Sequence, residues 1–123
     1  MPKTIFVIDD DLGMQLVLEI ALKDAGYEMV AASDGLQGIE RLATLQPDLV
    51  ISDVMMPQLD GVQVFNLLKQ RLQDQGIPII IMTALSRKPW FADMEAEGAV
   101  IIQKPFDVDH LLDMIRLLLD EGS

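Results

Sequence analysis

Five short and almost wholly apolar runs, each followed by a stretch with helical spacing, restrict this chain to a narrow set of folds. Thr4–Ile8 reads as a buried strand and Leu12–Ala25 as a helix, stopped by Gly26 just past its end. Tyr27–Ala32 is a second strand, followed by a helix over Leu36–Leu45 that ends before Pro47. Leu49–Ser52 is a third strand, with helical spacing over Val62–Leu72 beyond Pro57 and Gly61. Ile77–Met82 is a fourth, tolerating Pro78 at its beginning, and Trp90–Glu97 is a helix with Pro89 suited to its first turn. Val100–Ile102 and Val108–Leu119 complete the alternation. Strands this apolar are buried on both faces, which predicts a parallel sheet covered by helices on each side. Right-handed crossovers then leave a doubly wound α/β sheet.

A chain of 123 residues fits one domain over 1–123, and with half its residues hydrophobic it can bury a core without staples. It has no cysteine, which excludes disulfides and thiolate metal sites and fits a reducing compartment. The apolar segment after Met1-Pro2-Lys3 is too short for a signal peptide or a bilayer span, so a cytoplasmic protein without membrane insertion is expected. A formal net charge of −11 repels phosphate backbones and argues against direct nucleic-acid binding.

In a doubly wound sheet, ligands bind beyond the carboxyl ends of the strands. Polar residues follow the strands here: Asp9 and Asp10 the first, Asp53 the third, Thr83 the fourth and Lys104 the fifth. Taken singly, each has an ordinary explanation. Asp9, Asp10 or Asp11 can cap a helix, Asp53 can make an Asx turn before Pro57, and Thr83 and Lys104 can be plain turn and surface residues. Together they say more. Three carboxylates from two strand ends repel one another unless a cation sits among them, and their hard oxygens suit Mg²⁺. A lysine and a threonine at adjoining strand ends add an ammonium and a hydroxyl, the complement a phosphoryl group requires.

The pair Asp9-Asp10, the run from Asp53 through Met56-Pro57 to Asp60-Gly61, Thr83-Ala84 and Lys104-Pro105-Phe106 resemble the receiver domains of two-component response regulators. Asp34-Gly35 fits the same pattern, and the resemblance extends from Ile5 to about Leu119. It implies a flavodoxin-like (βα)5 fold with a parallel sheet of order 2-1-3-4-5, as in the chemotaxis regulators. It further implies that Asp53 takes a phosphoryl group from a phosphohistidine on a sensor histidine kinase or a phosphotransfer protein. Asp10, Asp53 and the backbone carbonyl of Met55 would hold Mg²⁺, with Mn²⁺ able to substitute, and Asp9 would act through coordinated water. Lys104 would pair with one phosphoryl oxygen, and Thr83 and the Ala84 N–H would hold another. Such a protein is a signalling switch that assists its own phosphorylation, not a conventional enzyme.

Two features depart from the pattern. The position three residues before the lysine, usually Tyr or Phe, is Ile101, and the stretch from Gly98 to Lys104 is one residue shorter than usual. The side chains two residues beyond Asp53 and Thr83 are Met55 and Leu85, neither suited to positioning water, which predicts slow self-dephosphorylation.

On the surface, Met14, Val17, Leu18, Ala21, Leu22 and Ala25 form one apolar face of the first helix, expected to pack on the sheet. Leu12, Leu16 and Ile20 form a second stripe, suited to docking a kinase or phosphotransfer helix. Phe91 is expected to pack inside, beside Arg87, Lys88 and Trp90. Met114 and Leu117 flank the core stripe of the last helix, and His110 is a solvated helix residue without a phosphodonor role. Two other functions compete. A pseudo-receiver would keep the fold as a protein-binding module without phosphorylation. A Mg²⁺-dependent phosphohydrolase would want a second acid beside its nucleophile, where Val54 and Met55 stand.

Overall fold

The computed structural model describes residues 2–53, 61–84 and 86–119. Strands and helices alternate: β1 (Thr4–Ile8), α1 (Leu12–Asp24), β2 (Glu28–Ala32), α2 (Gly35–Leu42), β3 (Leu49–Asp53), α3 (Gly61–Gln75), β4 (Ile79–Thr83), α4 (Pro89–Ala96), β5 (Val100–Gln103) and α5 (Val108–Leu118). The strands form one parallel sheet in the order β2-β1-β3-β4-β5. The expected order and the helices on both faces are therefore borne out.

Alternation along each strand divides the core in two. Phe6, Ile8, Val50, Ile79 and Ile81 point to one face and are covered from α2, α3 and α4 by Leu42, Phe65, Leu72 and Met94. Ile5, Val7, Leu49, Ile51, Ile80 and Met82 point to the other, under Leu18 and Leu22 of α1 and Leu111 and Ile115 of α5. β3 and β4 are buried at every position, whereas β2, at the sheet edge, is buried only at Ala32.

Several boundaries differ from the sequence reading. α2 ends at Leu42 rather than Leu45, because backbone bonds from Ala43 to Glu40 and from Thr44 to Arg41 tighten the last turn. β4 begins at Ile79 rather than Ile77. The Ile77 N–H instead bonds the Leu72 carbonyl as α3 closes, while Pro78 offers only its carbonyl, to Val50 N. β3 and β4 each run one residue further than expected, so Asp53 and Thr83 end their strands.

The first helix also needs a correction. Leu18 and Leu22 are buried, but Val17 is 47% exposed and lies with Leu12, Leu16 and Ile20 on the outer side. Leu18 and Leu22 centre the buried face, and Val17, about 100° from Leu18 on the side away from Leu22, falls outside it. Phe91 is fully buried and meets half-buried Trp90 edge-on, with ring centroids 4.4 Å apart. Leu117 is exposed, as is His110.

Candidate phosphoryl-acceptor site

The carboxyl ends of β1, β3, β4 and β5 present the polar residues singled out in the sequence. Asp9 follows β1 and stays in the ladder through its N–H, which donates to the Ala32 carbonyl at 3.0 Å. Its side chain is almost fully buried. Asp10 is exposed beside it, and Asp11 caps α1 by accepting from Gly13 N and Met14 N. The capping role considered for the three aspartates thus belongs to Asp11. Asp53 closes β3 with its side chain nearly buried, and Ser52 Oγ donates to the Asp53 carbonyl at 3.0 Å.

Carboxylate oxygens of Asp9, Asp10 and Asp53 all lie within 4.8 Å of one another. Lys104 reaches into the same group, with Nζ 3.1 Å from Asp53 Oδ2 and 3.4 Å from Asp9 Oδ2. Its backbone N–H donates to the Thr83 carbonyl at 2.6 Å, which joins the ends of β4 and β5. Thr83 is fully buried and Ala84 is exposed. Met55, Leu85 and the rest of the run from Val54 to Asp60 lie outside the described residues, so the carbonyl expected of Met55 and the two side chains tied to slow self-dephosphorylation do too.

Burial raises the Asp9 carboxyl above its ordinary pKa. The Asp11 N–H at 2.9 Å and the Lys104 ammonium pull it back, and the Asp53 carboxylate adds to the rise. Burial disfavours the Lys104 ammonium, but the hydrogen bond and charge of Asp53, with Asp9 in support, more than offset this and hold its pKa above the usual value. One ammonium against three clustered carboxylates leaves an excess of negative charge. The all-oxygen donor set fits a hard divalent cation and offers neither the nitrogen nor the sulfur that softer metals favour.

Sequence reasoning missed one participant. Gln15, on the second turn of α1, donates from Nε2 to the Asp9 carbonyl at 2.6 Å and to the Ala32 carbonyl at 3.2 Å. Nothing in residue spacing marks such a role, since its partners are backbone carbonyls, which any residue type supplies. Ile101 packs on the α2–α3–α4 side of the sheet along with Trp90, paired in register with Ile81.

The family model for the response regulator receiver domain matches residues 5–116. The DNA-binding dual master transcriptional regulator RpaA of Synechocystis is 35% identical over 120 residues, which cover 97% of this chain and 49% of that protein. Sporulation initiation phosphotransferase F of Bacillus subtilis is 31% identical over 120 residues, covering 97% of this chain and 95% of that one. The Francisella response regulator 1452 receiver domain superposes with a TM-score of 0.86 at 27% identity, covering 96% of this chain and 97% of that chain. Against RpaA, and likewise against the response regulator MprA of Mycobacterium, the chain spans about half the length of its relative. The order of its strands, the residues gathered at their carboxyl ends and these likenesses agree, and the chain belongs to the response regulator receiver domain family.

Proposed function

We propose that Asp53 is the phosphoacceptor of a Mg²⁺-dependent switch that takes its phosphoryl group from a histidine kinase or a phosphotransfer protein. One observation carries this reading: Asp9, Asp10 and Asp53 converge within 4.8 Å, with the Lys104 ammonium on two of them. Asp10 and Asp53 would hold the ion directly, aided by the Met55 carbonyl, and Asp9 through water. Bound there, Mg²⁺ supplies positive charge to phosphoryl oxygens that become more negative during transfer.

The chain's own groups divide the remaining work. An oxygen of Asp53 forms the new bond to phosphorus as the P–N bond of the donor breaks, and the imidazole leaves with the electron pair. An aspartate nucleophile needs no general base for this attack. Lys104 Nζ, already 3.1 Å from Asp53 Oδ2, meets one oxygen of the incoming group. The Thr83 hydroxyl and the Ala84 N–H hold another. The acyl phosphate so formed is the signal, read by altered protein contacts. Its loss is slow, because Met55 and Leu85 bring no polar group to orient water. We further infer a single receiver unit over 1–123, cytoplasmic and without direct contact to nucleic acid. Among the described residues, no helix is long and apolar enough to cross a membrane.

Intact mass after incubation with a small phosphodonor tests this reading. One added phosphoryl group that requires Mg²⁺ and is absent from Asp53→Asn is the expected result. No addition to folded protein supplied with Mg²⁺ would contradict it and return the pseudo-receiver.

A further inference from the structure

We propose that Gln15 is a positioning residue for the Asp9–Asp10 pair, an assignment that rests on the reading of the carboxylate cluster as a Mg²⁺ site. Its amide fixes the peptide between the two aspartates and so sets where both carboxylates stand relative to Asp53. The Asp9 carbonyl belongs to that peptide, and Gln15 Nε2 holds it at 2.6 Å. The same nitrogen reaches the Ala32 carbonyl at 3.2 Å, which also accepts the Asp9 N–H at 3.0 Å. Three segments are thereby closed into one ring: the end of β1, the end of β2 and the start of α1. The Asp11 N–H adds a second tie by donating to Asp9 Oδ1 at 2.9 Å.

This matters most for Asp10. Its side chain is exposed, and solvent leaves such a carboxylate free to sample rotamers. The protein orients Asp10 through the two peptides that flank it, of which Gln15 holds the first and the Asp11 N–H bond the second. An amide is the group suited to the task. Its nitrogen carries two N–H donors for two carbonyls, and it adds no net charge beside the carboxylates. A carboxylate at this position would repel both carbonyls, and an ammonium would compete with a bound cation.

The test uses the whole protein with Gln15→Met, which keeps side-chain length and loses both donors. Gln15→Asn serves as a second variant, whose shorter amide stays polar but cannot reach. Glu19→Gln, one turn further along α1, is the control. Without metal, the amides of Asp9 and Asp11 should exchange about tenfold faster in both Gln15 variants, while Leu18 and Leu22 keep wild-type protection. The Mg²⁺ dissociation constant should rise by about tenfold, as for other residues that orient metal ligands. Phosphorylation by a small donor should recover towards the wild-type rate once Mg²⁺ is saturating, which a general loss of structure would not allow. Equal Mg²⁺ affinity in wild type and both variants would overturn this proposal alone. Failure of the wild-type protein to bind Mg²⁺ would overturn the underlying reading as well.

Discussion

Lys104 competes with any divalent cation for the oxygens of Asp9 and Asp53, because it already lies 3.4 and 3.1 Å from them. At an effective dielectric constant of about 20, two unit charges some 4 Å apart interact by about 4 kcal/mol. Relaxation and water reduce the net effect, so a change of about 1.4 kcal/mol, or tenfold, is a fair expectation. Lys104→Met should therefore bind Mg²⁺ about tenfold more tightly by calorimetric titration, yet accept phosphoryl groups more slowly. Weaker Mg²⁺ binding would show that the lysine shapes the site and does not merely compete for it. Asp9 gives a pH signature of definite sign. Its carboxyl pKa is raised above 3.8 in the fold, chiefly by burial, so the folded protein holds that proton more tightly than the unfolded chain does. Ionised Asp9 thus disfavours folding above both values, and the penalty fades as pH falls through the folded pKa towards 3.8. Asp9→Asn should raise the Tm of metal-free protein near neutral pH, by an amount that shrinks on acidification. Stabilisation of the native protein by Mg²⁺ should weaken in the same window, since proton and cation compete for Asp9.

At the scale of elements, α2 depends on a close approach that only glycine permits. A Cβ on Gly38 would lie 2.7 Å from Ile8 Cδ1 and 3.1 and 3.3 Å from its Cγ1 and Cγ2. The Cδ1 could swing aside, but the two γ carbons sit at the branch of a fully buried side chain. Overpacking costs about 1–3 kcal/mol, against a helix-propensity gain of about 1 kcal/mol for alanine. Gly38→Ala should be destabilising by about 1 kcal/mol in denaturant titration, and less so with Ile8→Val beside it. A stabilised single variant would contradict this packing. The same elements show what could be read from the sequence. Thr4–Ile8 was legible to the residue, because β1 is paired on both sides and its apolar run is bounded by Asp9. Asp53 and Thr83 were correctly placed at strand ends by their polarity after apolar runs, although each is the last strand residue and not the first beyond it. Val17 was misplaced because hydrophobicity alone does not say which apolar face of a two-striped helix meets the sheet. Gln15 was invisible, its partners being backbone atoms that sequence does not distinguish.

Across the whole molecule, α1 begins next to the carboxylate cluster, three residues past Asp9, and carries an apolar outer face away from it. Leu12, Leu16, Val17 and Ile20 leave 47–68% of their surface exposed there, although a solvated helix face is ordinarily polar. The expectation of a donor-docking stripe can be separated from the chemistry by choice of phosphodonor. Leu16→Asp should lower the rate of transfer from a kinase by tenfold or more and leave the rate from a small phosphodonor unchanged. Equal losses with both donors would assign the stripe to folding or to the site itself. Phosphoryl chemistry and cation binding then share Asp53 at the strand ends, whereas docking along α1 makes its demand on other residues.

The expectations about phosphoryl transfer depend on which residue carries the phosphoryl group. The most direct measurement treats wild-type protein with a small phosphodonor and Mg²⁺, reduces any acyl phosphate with borohydride, and maps the product by peptide mass spectrometry. Conversion of Asp53 to homoserine, at that position only and only with Mg²⁺, is the predicted result. Homoserine at Asp9 or Asp10 instead, or none in protein that remains folded, would contradict the assignment of Asp53 as the phosphoacceptor.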